Sequence, residues 1–240
     1  MKTFKKGMAI LVLAMAVICS TGFVLNDIAG GSQDNGSGSL NGHDYVDLGL
    51  PSGTLWATCN VGAKTPEEYG DYFAWGEIQP KTDYRYETYK YGKCESRLDY
   101  IKYNYGYVGD TDNLIRLEPE DDAATVNWGS GWRIPTREEC EELLDQTNKK
   151  IEIIGGINGM TLTGPNGNSI FLPAAGERFG NVLKDNGYKG EYWSNTRYTL
   201  STIENYVWHL WYDDSAYCDT HAYGVREIGK TVRPVCSASK

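Results

Sequence analysis

The sequence lacks the cysteine and histidine spacing of a zinc site. It has six cysteines and three histidines, and no two cysteines form a CxxC pair. Zinc sites need such closely spaced ligands, so we expect no zinc and no other tightly bound cofactor. Apart from Cys19, the cysteines are odd in number and cannot all pair within the chain. Cys59 and Cys140 are predicted to be small core residues, and a bridge between Cys218 and Cys236 is left open.

Basic charge is also scarce. The chain has 23 lysine and arginine residues against 32 aspartate and glutamate residues, which gives a net charge of -9. Proteins that bind nucleic acid present a basic surface to the phosphates, and anionic membranes attract basic segments. The composition therefore argues against nucleic acid as a partner, and it limits membrane association to the N-terminal segment.

The first 25 residues are predicted to direct export. Lys2, Lys5 and Lys6 are followed by residues 7–25, which carry no charge. This pattern is typical of a secretory signal peptide. The apolar stretch is also long enough to serve as an N-terminal membrane anchor. Residues 1–25 are thus a signal peptide or an anchor, and both place the rest of the chain outside the cytoplasm.

The segment after the signal is predicted to tether a folded domain. Cys19 is a candidate for lipidation as in a lipoprotein, although Ile18 stands where a small residue is expected. Residues 26–42 are rich in Gly, Ser and Asn and are predicted to form a flexible linker. The folded domain is expected over residues 43–240, located in the cell envelope or at the cell surface.

One helix is clearly marked within residues 131–148. Thr136 and Glu139 have the spacing of a capping box, in which each side chain accepts a hydrogen bond from the other's backbone. Apolar residues then recur at helical spacing. The predicted buried stripe consists of Cys140, Leu143 and Leu144.

Short β-prone segments predict an α+β domain with mainly antiparallel sheet, one or two helices and long loops. Asn166-Gly167 between residues 160–163 and 169–173 indicates a hairpin. A short helix is predicted to begin at Pro66. Residues 84–107 contain eight tyrosines and are interpreted as an irregular loop packed by its own aromatic side chains. Further strands are predicted at residues 45–50, 55–61, 151–154, 206–212 and 231–235.

The predicted recognition surface lies in the C-terminal region, residues 190–235. A strand at residues 206–212 leads into a polar loop, residues 213–224. Tyr, Ser, Asp and His combine a large contact area with adaptable hydrogen bonding, so we expect this loop to bind a ligand. Trp75, Trp132 and Trp193 are assigned to the core. The predicted ligand-binding residues are Trp211, Tyr212, Asp213, Asp214, Ser215, Tyr217, Asp219, His221 and Tyr223.

The strand at residues 206–212 is apolar on both faces. Its even-numbered side chains lie on one face, and its odd-numbered ones, including His209 and Trp211, lie on the other. One face is expected to pack into the core. Whether the other is partly exposed beside the loop or also buried is left open.

Six short blocks follow one another along residues 43–236: HDYVDLGLPSGTLWA at 43–57, YGDYFAWGE at 69–77, WRIPT at 132–136, FLPAAG at 171–176, YWSNT at 192–196 and VRPV at 232–235. In this order they resemble the Fibrobacter succinogenes major paralogous domain family of exported Bacteroidetes proteins. That family is similar to the C-type-lectin-like fold, in the version shared with formylglycine-generating enzymes and the variable proteins of diversity-generating retroelements. The resemblance implies a C-type-lectin-like domain whose final third displays a binding face. It implies no activity.

The enzyme relatives of this fold guide the search for catalytic residues. Formylglycine-generating enzymes use paired cysteines near the C-terminal end, whereas Cys218 and Cys236 are 18 positions apart. None of His43, His209 and His221 has a nucleophile or carboxylate partner at a diagnostic spacing. We therefore expect no catalytic residue and no enzymatic activity.

The lectin relatives raise the question of calcium. Sugar-binding C-type lectins resemble one another in a Glu-Pro-Asn or Gln-Pro-Asp loop with a later Trp-Asn-Asp, and neither occurs here. Asp213, Asp214 and Asp219 carry oxygen atoms that suit calcium, and a solvated acidic loop is the alternative. A glycan-binding, lectin-like protein also stays open, because aromatic side chains stack on sugar rings without calcium. The candidates for such stacking are Trp208, Trp211 and Tyr217.

The composition of residues 212–224 (YDDSAYCDTHAYG) has two interpretations. Every residue type in it is reachable from codons that end in a pyrimidine, as adenine-directed mutagenesis by a retroelement would yield. An ordinary loop of this composition is the alternative. In either case the sequence predicts a non-enzymatic binding module of the bacterial cell envelope for a protein or other ligand.

Overall fold

Antiparallel sheet dominates the regular structure. The computed structural model describes residues 36–92, 100–104, 111–199, 206–220 and 223–237. In these residues the helices are α1 (Ala123–Trp128) and α2 (Arg137–Gln146), with 3-10 turns at Tyr86–Thr88 and Pro119–Asp121. The strands are β1 (Ser37–Leu40), β2 (His43–Asp47), β3 (Thr54–Ala57), β4 (Asn148–Ile154), β5 (Ile157–Thr163), β6 (Ser169–Pro173), β7 (Glu177–Phe179), β8 (Val182–Lys184), β9 (Lys189–Arg197), β10 (Tyr206–Asp213), β11 (Cys218–Asp219), β12 (Tyr223–Val225) and β13 (Val235–Ser237). Few helices and mostly antiparallel sheets confirm the predicted α+β class.

The strands pair into sheets that bring the two ends of the domain together. One sheet has the order β1-β2-β3-β13, a second has β4-β5-β6, and β7 pairs with β8. In the fourth sheet β9, β11 and β12 all pair with β10. Trp193 and Val207 of this sheet belong to one hydrophobic cluster, and Tyr192 and Leu210 belong to another. The sheet therefore has core on both faces over most of its length.

Helix α2 forms as its sequence predicts. Thr136 accepts a hydrogen bond from Glu139 N (3.2 Å), and Glu139 Oε2 accepts one from Thr136 N (2.8 Å), which confirms the capping box. Arg133 holds the same carboxylate through both guanidinium nitrogens. Cys140, Leu143 and Leu144 are buried against the fourth sheet's apolar face.

The Asn-Gly hairpin is also confirmed. β5 and β6 pair in register from Thr163↔Ser169 to Gly159↔Pro173. Gly167 has φ +88°, a conformation that glycine adopts without a steric penalty. Asn166 Nδ2 donates to Asp47 O (2.9 Å), so the turn is also fixed to the first sheet.

The linker predicted for residues 26–42 is too long, because its last residues belong to the folded domain. Ser37–Leu40 forms β1 and pairs in register with β2. Asn41 donates to the carbonyls of Trp128 (3.0 Å) and Ser130 (3.2 Å). The Gly/Ser composition suggested a flexible chain, but these long-range contacts order the segment. The earlier part of the linker and the predicted signal or anchor, residues 1–25, lie outside the described residues.

Two predicted strands are shorter in the structure, and one predicted helix is absent. β2 ends at Asp47 rather than at residue 50, and β3 ends at Ala57 rather than at residue 61. β3 ends where the Arg233 guanidinium donates hydrogen bonds to the Ala57 and Thr58 carbonyl oxygens (3.1 and 2.9 Å). The segment at Pro66 forms turns instead of a helix.

The tryptophans lie in the core as expected, whereas the tyrosine-rich loop does more than pack on itself, because its buried tyrosines join the same core cluster. Trp75, Trp132 and Trp193 are each 1% exposed, which confirms their assignment. Tyr105 and Tyr107 lie outside the described residues. The tyrosines of this loop that the structure buries are Tyr84, Tyr86, Tyr89, Tyr91, Tyr100 and Tyr103.

The C-terminal VRPV segment is held by a buried arginine rather than by a continuous strand. Arg233 is 1% exposed. Its guanidinium donates to Asn60 Oδ1 (2.8 Å), to the Ala57 and Thr58 carbonyls, and to Phe171 O (2.9 Å). Strand pairing resumes only at Val235. One side chain thus joins the C-terminal segment to β3 and β6.

The described cysteines are free thiols, so the bridge considered between Cys218 and Cys236 is absent. Cys140 is buried as predicted, whereas Cys59 is only partly buried. Within the described ranges, no helix is long and apolar enough to cross a membrane.

Candidate functional site

The candidate site lies on one face of the β9–β12 sheet, near the end of β10. Leu210 and Tyr212 point to the opposite face and pack in the cluster that includes Leu143 of α2. Strand alternation then places His209, Trp211 and Asp213 together on the first face. At Trp211 this face stops being fully buried.

The strand register surrounds Trp211 with polar groups. Its Cα partners are Glu191 on β9 and Asp219 on β11. His209 and Asp213 are its same-face neighbours along β10. Directly opposed residues of antiparallel strands lie side by side on one face, so Trp211 has three carboxylates and one imidazole around it. A shallow depression of about 200 Å³ is lined by Lys189, Glu191, His209 and Trp211.

A tight turn after β10 presents a second aromatic ring. Asp213 Oδ1 accepts hydrogen bonds from Ser215 N (3.0 Å), Ser215 Oγ (2.6 Å) and Tyr217 N (3.2 Å). The Ser215 hydroxyl, followed by these backbone donors, lowers the pKa of the Asp213 carboxyl. Tyr217 is 56% exposed, and its ring lies 5.4 Å from that of Trp211 at 55°. The turn therefore holds an aromatic pair at the surface. We call Glu191, His209, Trp211, Asp213, Asp219 and Tyr217 the Trp211 face.

The structure brings together most of the predicted ligand-binding residues. Trp211, Asp213 and Asp219 are partly exposed, and Asp214 and Ser215 are exposed in the turn. His221 and the side chain of Tyr223 lie outside what the structure describes.

Tyr212 is the exception, and its assignment to the ligand-binding surface is wrong. Its side chain is 1% exposed and its hydroxyl donates to Leu172 O. A Cβ on Gly190 would lie 2.0 Å from the Tyr212 ring, so the glycine makes room for it. Because β10 continues to Asp213, strand alternation turns Tyr212 into the core. The sequence left open whether the second face of β10 is exposed or buried. The structure buries both faces of β10 as far as Leu210.

A largely buried ion network shares Glu191 and His209 with the Trp211 face. Lys230 Nζ is 2.6 Å from both Glu177 Oε2 and Glu191 Oε2. Glu191 Oε2 is also 2.9 Å from His209 Nε2. The Lys230 side chain is 2% exposed. We call Glu177, Glu191, His209 and Lys230 the buried ion network.

The contacts fix the protonation states in this network. Burial opposes ionisation of Glu191, but the Lys230 ammonium and the His209 N–H outweigh burial and hold the carboxyl pKa far below its usual range. Burial, with Lys230 nearby, lowers the pKa of His209. His209 is therefore neutral near pH 7 and donates through Nε2 to Glu191. Its Nδ1 is buried and accepts no hydrogen bond from any described residue.

The sequence reasoning missed this network because it found no carboxylate partner for His209. The partner, Glu191, comes from a strand whose register the sequence does not reveal. Two signals were present: Glu191 interrupts an aromatic strand, and Lys230 precedes the β-branched segment at 231–235. A charge within an apolar strand indicates a buried ion pair.

The network should make the protein less stable in acid. The pKa values of His209 and Glu191 are both lowered in the fold, from 6.5 and 4.5 respectively, so the unfolded chain binds protons more readily. Stability from His209 is complete above pH 6.5 and is lost as the pH falls below that value. Stability from Glu191 is lost below pH 4.5. We expect the melting temperature to fall from pH 7.5 to 5.5 and to fall less in His209→Gln. An equal fall in both proteins would contradict this assignment.

The described ranges contain no group of three or more His, Cys, Asp or Glu side chains arranged to hold a metal ion. Asp213, one of the three candidates for calcium, already uses Oδ1 to close its own turn.

Comparisons with known proteins assign no family to the chain. No family model matches it, and no curated protein or solved structure shows significant similarity to it.

Proposed function

We propose that this protein is an exported, non-enzymatic binding module of the bacterial cell envelope that takes its ligand on the Trp211 face. Residues 1–25 would direct export or anchor the chain, and the following segment would tether the domain. The acidic composition fits a partner other than nucleic acid.

The observation that carries this proposal is the exposed aromatic pair. Trp211 and Tyr217 stand beside a depression, on a sheet packed on both sides and a turn closed by Asp213. Rigid aromatic side chains contribute large contact areas at low entropic cost, and they dominate many binding interfaces.

A C-type-lectin-like fold and membership of the major paralogous domain family are part of the same proposal. They are supported by contacts between the sequence blocks. The Trp75 indole donates to Ser194 O (2.9 Å), and Arg233 donates to Phe171 O (2.9 Å). Each bond joins two different blocks, so the blocks act as parts of one core.

The absence of enzymatic activity is proposed from the state of the candidate groups. Burial raises the pKa of the Cys218 thiol and raises that of Cys236 to about 11. A nucleophilic cysteine requires the opposite shift, because the thiolate is the reactive form. His209 is bound to Glu191 rather than placed beside a nucleophile.

Ligand selection tests the proposal directly. The full chain would be immobilised and screened against a random peptide library and a glycan array, because a peptide and a sugar both suit an aromatic surface. We expect a ligand from one panel to lose at least about tenfold in affinity for the Trp211→Ala/Tyr217→Ala variant. The free energy of unfolding should change by only about 1–2 kcal/mol, since both side chains are at the surface.

Ile153→Ala serves as the control, because Ile153 is 68% exposed on β4 in a different sheet. It should bind as the unmodified chain does. The proposal fails if neither panel yields a ligand that depends on Trp211 and Tyr217. It also fails if the double variant unfolds, since these side chains would then belong to the core.

A further inference from the structure

We propose that the Trp211 face takes a cationic group, the guanidinium or ammonium of an arginine or lysine side chain presented by a protein partner. This inference rests on the proposed function, because it names the chemical group that the proposed surface recognises.

Acidic residues lie on several sides of one aromatic ring, that of Trp211. Both cross-strand neighbours of Trp211 are acidic, Glu191 on one side and Asp219 on the other. Asp213 is acidic as well and lies on the same face two residues along β10. A cation gains energy over the face of a tryptophan, and it gains more when carboxylates lie beside the ring.

Two lysines near Trp211 are already paired with carboxylates. Lys189, which lies opposite Asp213 on β9 and lines the depression, is paired with Asp185 (2.8 Å). Lys230 is held by two carboxylates. Within the buried ion network, Glu177 and Glu191 together carry one more charge than Lys230 supplies. An incoming anion would meet this excess of negative charge, whereas a cation would be attracted.

His209 adds an acceptor to this region. It is 6% exposed, lines the depression beside Trp211, and has a buried Nδ1 without a partner in the described structure. Because its Nε2 donates to Glu191, the neutral ring presents Nδ1 as an acceptor. A buried acceptor without a donor is unfavourable. A guanidinium or ammonium carries several N–H donors and no acceptor, so a cation is the charged group that this acceptor-only nitrogen favours nearby.

Arginine and lysine also fit the aromatic pair sterically. Both side chains combine an apolar stem with a charged end. The stem would contact Trp211 and Tyr217, while the charge would approach Asp213, Asp219 and the depression.

The test uses peptides selected by the full chain from a random library. We expect arginine or lysine to be enriched in peptides whose binding requires Trp211. Replacing the selected arginine with citrulline, which keeps the shape and removes the charge, should weaken binding about tenfold. Asp213→Asn/Asp219→Asn should weaken the arginine peptide about fivefold and leave the citrulline peptide unchanged, because asparagine retains the oxygen that closes the turn.

Glu67→Gln/Glu120→Gln is the matched control, since it removes the same charge at positions that belong to neither β10 nor its partner strands. It should bind both peptides as the unmodified chain does. Peptides that need Trp211 but contain no basic residue, or a glycan that needs Trp211, would overturn this inference and leave the proposed function intact. If nothing selected depends on Trp211, both are wrong.

Discussion

Replacing Arg233 with methionine should lower the free energy of unfolding by about 3–5 kcal/mol. The guanidinium donates to four acceptors, and all of them lie in or beside the core. Methionine fills much of the volume but supplies no donor, and each buried acceptor left unsatisfied costs about 1–3 kcal/mol. Relief from burying a charge offsets part of this cost, since burial already lowers the pKa of Arg233. Urea denaturation followed by circular dichroism measures the loss.

Arg116→Met is the control for this experiment. Arg116 is an exposed arginine whose ion pair with Glu138 spans 3.3 Å, and exposed pairs contribute less than about 1 kcal/mol. If Arg116→Met and Arg233→Met lower the free energy of unfolding by similar amounts, Arg233 does not hold the C-terminal segment to β3 and β6. Arg233→Lys should also be destabilised, because an ammonium cannot reach four acceptors spread over residues 57–60 and Phe171.

Replacing Lys230 with methionine should also cost about 3–5 kcal/mol, since it leaves two carboxylates without their buried counterion. Adding Glu191→Gln should recover part of the loss, because the buried negative charge is then removed. The difference between the double variant and the sum of the single variants measures the coupling. Chemical denaturation of all three variants supplies these free energies.

The same variant should weaken the pH response. Burial lowers the pKa of His209 most, Lys230 lowers it further, and Glu191 raises it. Without Lys230 the folded pKa of His209 rises toward the ordinary 6.5, so less stability depends on a neutral His209. Lys230→Met should thus lose less stability from pH 7.5 to 5.5 than the unmodified protein does. Lys150→Met, at an exposed ion pair with Glu152, should keep the original response.

Local signals in the sequence predicted local structure well. The capping box of Thr136 and Glu139 located helix α2 and its buried stripe, because both depend only on residues within a few turns. Asn166-Gly167 located the β5–β6 hairpin for the same reason. The exposed aromatic pair was also within reach, since Trp211 and Tyr217 flank a loop with an obvious turn composition.

Strand register decided the features that the sequence did not reveal. Tyr212 seemed suited to a binding loop, but β10 extends one residue further than predicted and alternation turns Tyr212 inward. The contact between His209 and Glu191 joins two strands through the register of β9 against β10. The turn that follows the strand at Ser37–Leu40 is held by hydrogen bonds from Asn41 to Trp128 and Ser130, which lie far away in the sequence. Composition alone reveals none of these pairings.

Nuclear magnetic resonance mapping of the full chain, with a peptide or glycan selected from the two panels, tests most directly whether ligand binding occurs on the Trp211 face. We expect the largest shift changes at the Trp211 indole N–H and at the backbone amides of Asp213, Tyr217 and Asp219. Shift changes centred elsewhere, such as the depression lined by Asp71, Tyr84 and Arg178, with the Trp211 indole unaffected, would contradict the account.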